Sequence, residues 1–310
     1  MSYGEDEELE LINRHIKSFS DVSAPTPSLK RLCLRQNLIS KLEGLERFTQ
    51  LVELDLYLNQ ITTIENLSGL LPNLTALDLS YNSIREIPEN GLSELQCLKS
   101  LYLANNKITR IQGINHLTNL TVLELGSNRI RTIEGINHLV QLESLWLARN
   151  KLTSTKGLQQ LTNLTQLSLQ NNRLTSVEGL EPLTQLRELY LSENGLESMH
   201  GVGSLKSLET LDFAKNFISK IEGLENLQNL EDLWLNDNKI DSFDSVDALS
   251  QLKNLTCVYF ERNPIYSDPL YRVKITSKLP WLKQLDATFV ITQNNPLLMA
   301  EDKKPNQQKK

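Results

Sequence analysis

Apolar residues recur along most of the chain in one fixed order. The stretch LELGSNRIRTIEGINHLVQL, Leu123 to Leu142, reappears 22 residues later as LWLARNKLTSTKGLQQLTNL, with its leucines and its asparagine in the same slots. Aligned on that asparagine, the copies centre on Asn37, Asn59, Asn82, Asn106, Asn128, Asn150, Asn172, Asn194, Asn216, Asn238 and Asn263. Each reads L-x-x-L-x-L-x-x-N-x-I/L and then I-x-G-L-x-x-L. The L-x-L core alternates with period two, which predicts a short strand with its leucines on one face.

About 22 residues per copy must close a full turn of chain and return it beside its starting point, so the strands stack in parallel. Eleven of them at roughly 4.8 Å per step make a sheet on the order of 50 Å long. The residues left over in each copy are too few for a long helix, so the outer side should be extended or 3₁₀. This is the leucine-rich-repeat signature. The expected fold is an α/β solenoid: a right-handed leucine-rich-repeat horseshoe with a parallel concave sheet, a mostly extended or 3₁₀ convex side, and a cap at each end.

The asparagines sit where the chain bends inward after each strand. Their amides are expected to bond the backbone of that turn and of the next coil, forming a ladder. Losing a rung should cost about 1–3 kcal/mol through stranded buried polar groups. A second column, Gly44, Asn66, Gly91, Gly113, Gly135, Gly157, Gly179, Gly201, Gly223 and Ser245, predicts a backbone position at positive φ.

An open stack must be capped. Residues 1–28 are read as an acidic segment and a degenerate cap, because Leu9, Leu11, Ile16 and Phe19 repeat Leu32, Leu34, Ile39 and Leu42 at a shift of 23, with Arg14 in the asparagine slot. Residues 29–265 hold the eleven repeats. Residues 266–290 form the C-terminal cap, with Asp268 expected to N-cap a helix that begins at Pro269. Leu282 and Leu285 restart the strand pattern. Residues 291–310 have the composition of a disordered tail.

Function must lie where the repeat does not dictate the residue. The middle residue of each L-x-L points away from the core, onto the concave face. That column reads Cys33, Asp55, Asp78, Tyr102, Glu124, Trp146, Ser168, Tyr190, Asp212, Trp234 and Tyr259, with no Lys or Arg and with two of the three tryptophans. Aromatics flanked by acids are the composition of an interface hot spot. Acids also occupy neighbouring free positions, Asp232 among them. Basic residues occur there too, three of them (Lys30, Arg31 and Arg35) crowded into the first repeat. A protein with a complementary basic surface is the expected ligand.

Bulk properties narrow the classes. A formal net charge of −6 argues against nucleic-acid binding. No apolar run approaches membrane-spanning length. Three scattered cysteines and no signal-peptide pattern suggest a reducing compartment. The five sequons, beginning at Asn66, Asn73, Asn119, Asn163 and Asn254 and all N-L-T or N-L-S spelled by the repeat, are expected to be unmodified. No metal or cofactor is expected, since His116 and His138 fall one repeat apart only through repeat spelling. No catalysis is expected either, because an open sheet should neither exclude water nor shift a pKa by burial.

The fragments CLRQNLI (Cys33–Ile39), LELGSNRIR (Leu123–Arg131), LRELYLSENG (Leu186–Gly195), LWLNDN (Leu233–Asn238), VYFERNPI (Val258–Ile265) and LDATFV (Leu285–Val290) resemble the leucine-rich-repeat regulatory subunits of protein phosphatase-1. The resemblance covers roughly residues 29 to 290. It implies a non-enzymatic scaffold of nucleus and cytoplasm that binds the phosphatase-1 catalytic subunit, and a small inhibitor protein in a ternary complex, controlling maturation or localisation in mitosis. The implied contacts are Asp78, Tyr102, Glu124, Trp146, Tyr190, Asp212, Asp232, Trp234 and Tyr259. Tyr102 and Trp146 stand where the family is expected to carry phenylalanine, and Asp232 where it carries glutamate. The short V-x-F motif of other phosphatase partners is not expected to operate, since Val258 and Phe260 are core positions. The rival readings are a secreted internalin-type adhesin, which needs a secretion signal; a ubiquitin-ligase adaptor, which needs a helical box; and a cytoskeletal or axonemal adaptor for another basic protein.

Overall fold

The computed structural model describes residues 7–23, 28–65, 67 and 71–290. Asn66 of the glycine column, the first six residues and the expected disordered tail lie outside these. Among the described residues, fourteen strands form one sheet in strict chain order. β1 (Glu8–Glu10) belongs to the N-terminal cap. The eleven repeats contribute β2 (Arg31–Cys33), β3 (Glu53–Asp55), β4 (Ala76–Asp78), β5 (Ser100–Tyr102), β6 (Val122–Glu124), β7 (Ser144–Trp146), β8 (Gln166–Ser168), β9 (Glu188–Tyr190), β10 (Thr210–Asp212), β11 (Asp232–Trp234) and β12 (Cys257–Tyr259). The C-terminal cap adds β13 (Gln284–Leu285), parallel to β12, and β14 (Thr288–Phe289), antiparallel to β13. The sheet is thus longer than eleven strands, because both caps extend it.

The leucine at the centre of each strand and the apolar residue just after it point into one continuous core; Leu145 and Leu147 are both fully buried. Phe213 and Phe260 take the second leucine's place and are equally buried, which makes Val258 and Phe260 core positions as expected. The convex side is turns, with 3₁₀ segments at Phe19–Asp21, Phe243–Leu249 and Pro264–Ser267.

All eleven ladder asparagines bond as a series, but toward the preceding coil rather than the next. Each side-chain oxygen accepts a backbone N–H of the coil before it at 2.9–3.1 Å. Each Nδ2 donates to a carbonyl of that same coil at 2.7–3.1 Å. The forward link comes from the residue before the asparagine. Leu58, Ser127 and Arg149, for example, donate their N–H to Ser80, Ala148 and Gln170 of the following coil at 2.8–3.0 Å. In every repeat this residue sits at a φ of 53–58°, and it is never glycine. The strained backbone persists because hydrogen bonds in both directions fix it.

The glycines of the predicted column do lie at positive φ, except Gly91, while Ser245 falls within a 3₁₀ segment. Glycine there also meets a steric demand. A Cβ on Gly201 would lie 1.8 Å from the Val177 carbonyl oxygen, whereas one on Gly223 would meet nothing within 4 Å.

A second ladder also joins the coils. In N-L-T, Asn119 and Asn163 donate their amides to Gln96 and Val140 carbonyls at 2.8 and 2.9 Å, and Thr121 and Thr165 donate to Lys99 and Glu143 carbonyls at 3.2 and 3.1 Å. These sequons therefore have a structural use for both of their polar side chains.

At the N-terminal cap, Leu9 pairs with Leu32 at the predicted shift, and Arg14 and Ile16 give their backbone N–H groups to Asn37. At the other end, helix α1 (Tyr271–Lys278) starts later than expected. Asp268 does not N-cap it; its carboxylate instead accepts Leu270 N–H at 2.7 Å in a tight turn. Buried Asp286 closes the stack, accepting Phe260 N–H, Glu261 N–H and the Tyr271 hydroxyl at 2.7, 2.9 and 2.9 Å.

Asn150→Ala strands the Ile130 N–H and the Leu125 carbonyl between two coils. It should cost about 2 kcal/mol or more, read as a fall in urea midpoint. Gly223→Ala should cost about 1–2 kcal/mol, the left-handed backbone penalty alone. Gly201→Ala, which adds a clash, should cost clearly more in the same titration.

Candidate functional site

The predicted contact residues form one unbroken row across the sheet. Pairing runs Asp78 to Tyr102, Glu124, Trp146, Ser168, Tyr190, Asp212, Trp234 and Tyr259, each against the next on adjacent strands. The first and third residues of each strand share the concave face, which puts Asp232 on it beside Trp234. Neither Trp146 nor Trp234 is part of the apolar core, and both are half-buried rather than standing free in water. Neighbouring side chains shelter them. Trp234 sits between Tyr190 and Tyr259, ring centroids 6.2 and 6.5 Å away.

The acids are sheltered further than side-chain alternation alone implies. Asp212 is only 5% exposed, and Cys33 and Ser168 are also buried. Burial pushes the carboxyls of Asp78, Glu124 and Asp212 above their ordinary values. This corrects the expectation that an open sheet shifts no pKa: curvature and the flanking side chains withdraw water. Each acid also has a local duty. Asp55, Asp78, Glu124 and Asp212 accept the backbone N–H two residues on, at 3.1, 2.8, 2.9 and 2.9 Å. An asparagine or glutamine could accept that bond without burying a charge.

At the C-terminal third, the Tyr190 hydroxyl donates to Glu188 at 2.8 Å, and Gln166 donates to the same oxygen at 2.8 Å. Burial and this carboxylate push the tyrosine up to about 12. Gln284 of the cap donates to the Tyr259 hydroxyl at 2.8 Å. Gln166 and Gln284, which were not among the expected contacts, each occupy the first position of their strand, the same position as Asp232. A concavity of about 360 Å³ lies here, lined by Trp234, Asn236, Tyr259, Glu261 and Arg262. Cys257, beside Asp232, is pushed up to about 12 by burial and that carboxylate, so it stays a thiol at neutral pH.

At the N-terminal third the crowded cations are spoken for. Arg31 pairs with Glu8 and with Glu53 at 3.4 Å, Lys30 with Glu7 at 2.6 Å, and Arg35 with Asp55 and with Asp78 at 3.8 Å. Arg35 also lies 5.2 Å over the Tyr57 ring. Among the described residues, Asp78 is therefore the one predicted contact in an ion pair with a cation of its own chain. His116 and His138 do not act as a pair: the His116 Nε2 lies 3.1 Å from the Leu92 carbonyl, while His138 is exposed. Among the described residues no cluster of three or more His, Cys, Asp or Glu could hold a metal ion, and no helix is long and apolar enough to cross a membrane.

Comparison with known proteins matches leucine-rich-repeat families over 188–303, over 49–108, and, as two-copy units, over 27–69 and 98–204. The chain is 40% identical over 84 residues to "Protein phosphatase 1 regulatory subunit SDS22" of Saccharomyces cerevisiae, covering 26% of this chain and 25% of that protein. It is 38% identical over 116 residues to "Protein phosphatase 1 regulatory inhibitor subunit PPP1R7 homolog" of Arabidopsis thaliana, covering 36% and 34%. The matched segments thus span about a third of those relatives' length or less. A solved leucine-rich-repeat protein of Leptospira interrogans superposes with a TM-score of 0.77 at 31% identity, over 83% of this chain and 66% of that one.

The raised carboxyls carry a stability cost with a definite sign. A carboxyl whose pKa is higher folded than unfolded is costless below both values, and its penalty grows as pH rises between them. Asp212→Asn can keep the Ala214 N–H bond. The variant should match or exceed the parent in stability at neutral pH, and its advantage should widen as pH rises through the carboxylate range and then level off. Urea midpoints from pH 3.5 to 7.5 measure it; an advantage that shrank with rising pH would contradict the assignment.

Proposed function

The chain belongs to the leucine-rich-repeat family, and from that premise we propose that it is a non-catalytic regulatory subunit that holds the catalytic subunit of protein phosphatase-1 against its concave face. The observation that carries the reading is the row from Asp78 to Tyr259, continuous over nine strands and free of Lys and Arg. The names of the yeast and plant relatives supply the partner's identity.

The chemistry of the row suits a cationic protein surface. Asp78, Glu124 and Asp212 are held partly desolvated in the free protein, so much of the cost of drying them is met before the partner arrives. An incoming Lys or Arg finds carboxylates with little water left to displace. Trp146 and Trp234, with Tyr102, Tyr190 and Tyr259, provide rigid apolar area whose ordering costs little entropy. Asp232 adds a further carboxylate beside Trp234. In this reading the subunit governs maturation, localisation or activity of the phosphatase in nucleus and cytoplasm, through mitosis, and accommodates a small inhibitor protein in a ternary complex. Neither nucleic acid nor membrane has a part in it.

Trp234→Ala should weaken binding of recombinant phosphatase-1 catalytic subunit by about 2 kcal/mol or more, a loss of about 30-fold. The melting temperature should hardly move, because Trp234 lies outside the core. Titration and scanning calorimetry measure the two effects. Unchanged affinity in the variant refutes the site; failure of the parent protein to bind refutes the partner.

A further inference from the structure

A second charged surface lies on the flank of the solenoid, where the chain leaves the strands and starts outward. Four consecutive coils present the segments NNKITR (105–110), SNRIRT (127–132), RNKLTS (149–154) and NNRLTS (171–176) there. They carry seven cations, Lys107, Arg110, Arg129, Arg131, Arg149, Lys151 and Arg173, and no Asp or Glu, in a chain whose net charge is −6. The adjoining coils restore acids at once, with Glu86 on one side and Glu193 and Glu197 on the other. Arg149 lies close enough to Glu193 to help lower its pKa, which marks that boundary. Glu134 and Glu178 lie a few residues further along their coils, toward the convex side.

The ladder puts these cations in register. Lys107, Arg129, Lys151 and Arg173 each follow a ladder asparagine and precede a buried Ile or Leu. Each donates its backbone N–H to the coil before it, to Ile84, Ile108, Ile130 and Leu152, at 2.7–2.8 Å. With its neighbours turned inward, the basic side chain must turn out. The four stand in file at roughly 5 Å steps, the spacing of parallel chains. Among the described residues none of the seven makes an ion pair, although the chain's other cations often do; Lys107 donates only to the Ser83 hydroxyl, at 3.1 Å. Arg110, Arg129, Arg131, Arg149 and Arg173 are exposed.

We propose that this flank is a docking site for an acidic segment of a protein, bound in an extended form along the file of cations. Charge complementarity argues for the anion, and what surrounds the cations argues for a peptide. Between them stand Thr, Ser and Asn, with no aromatic ring on which a nucleobase could stack. The file spans only four coils before acids resume, about 15 Å, which fits four or five extended residues and is short for a nucleic-acid backbone track. The flank is separate from the concave row, so binding there is independent of the phosphatase reading.

The test uses the full chain and a fluorescein-labelled deca-glutamate peptide in an anisotropy titration at low salt. The peptide should bind, and its affinity should fall steeply as NaCl is raised. Arg129→Glu with Arg173→Glu should cut affinity at least about tenfold, while Lys220→Glu, outside the flank, should leave it within about twofold. Both variants should keep the parent melting temperature. Absence of peptide binding, or equal loss in the Lys220→Glu control, overturns the proposal. So does tighter binding of a ten-nucleotide oligothymidylate or of phosphatidylserine vesicles than of the peptide.

Discussion

One amide per coil holds this molecule together. A 22-residue turn of chain has too few residues to form an interior of its own, so its polar backbone must be satisfied by the coils on either side. The ladder asparagine bonds backward through its side chain, and the residue before it bonds forward through its N–H. That two-way connection keeps non-glycine residues at positive φ in every repeat. It also fixes the register that lines up everything else, the leucine core, the concave row and the flanking cations alike.

Given that register, the concave face is a place where the chain accepts cost. Carboxyls half-dried by their neighbours are less favourable than amides would be, and the backbone N–H groups they accept could be served by amides equally well. Acids kept where burial raises their pKa point to use in recognition rather than in folding. A structural duty falls to the same side chains: Asp212, which stands on the concave face, also accepts the Ala214 N–H just past its strand.

The same repeat presents two surfaces of opposite charge. Residues on alternate sides of the buried leucines carry acids and rings on the inner curve, while those past the asparagine carry cations on the flank. Two like-charged surfaces would compete for one kind of ligand. In the proposed readings the inner curve takes a basic surface and the flank an acidic segment, so the two could be occupied together.

The strands, the coil period, the ladder asparagines, the cap at Leu9 and the concave column could all be read from the chain, because each follows from local spacing and side-chain alternation. Direction and environment could not. Spacing alone did not tell whether Asn150 bonds the coil before or after it, why Gly91 departs from its column, or that Asp268 would turn the chain instead of starting helix α1. The N-L-T ladder was spelled in plain letters, yet its use depends on carbonyls 22 or 23 residues away. The desolvation of Asp212 and the pairing of Arg35 with Asp55 and Asp78 arise only when neighbouring coils bring side chains together across the sheet. Periodicity is a property of one dimension and the sequence holds all of it; burial is a sum over neighbours in three, and only the stacked coils determine it.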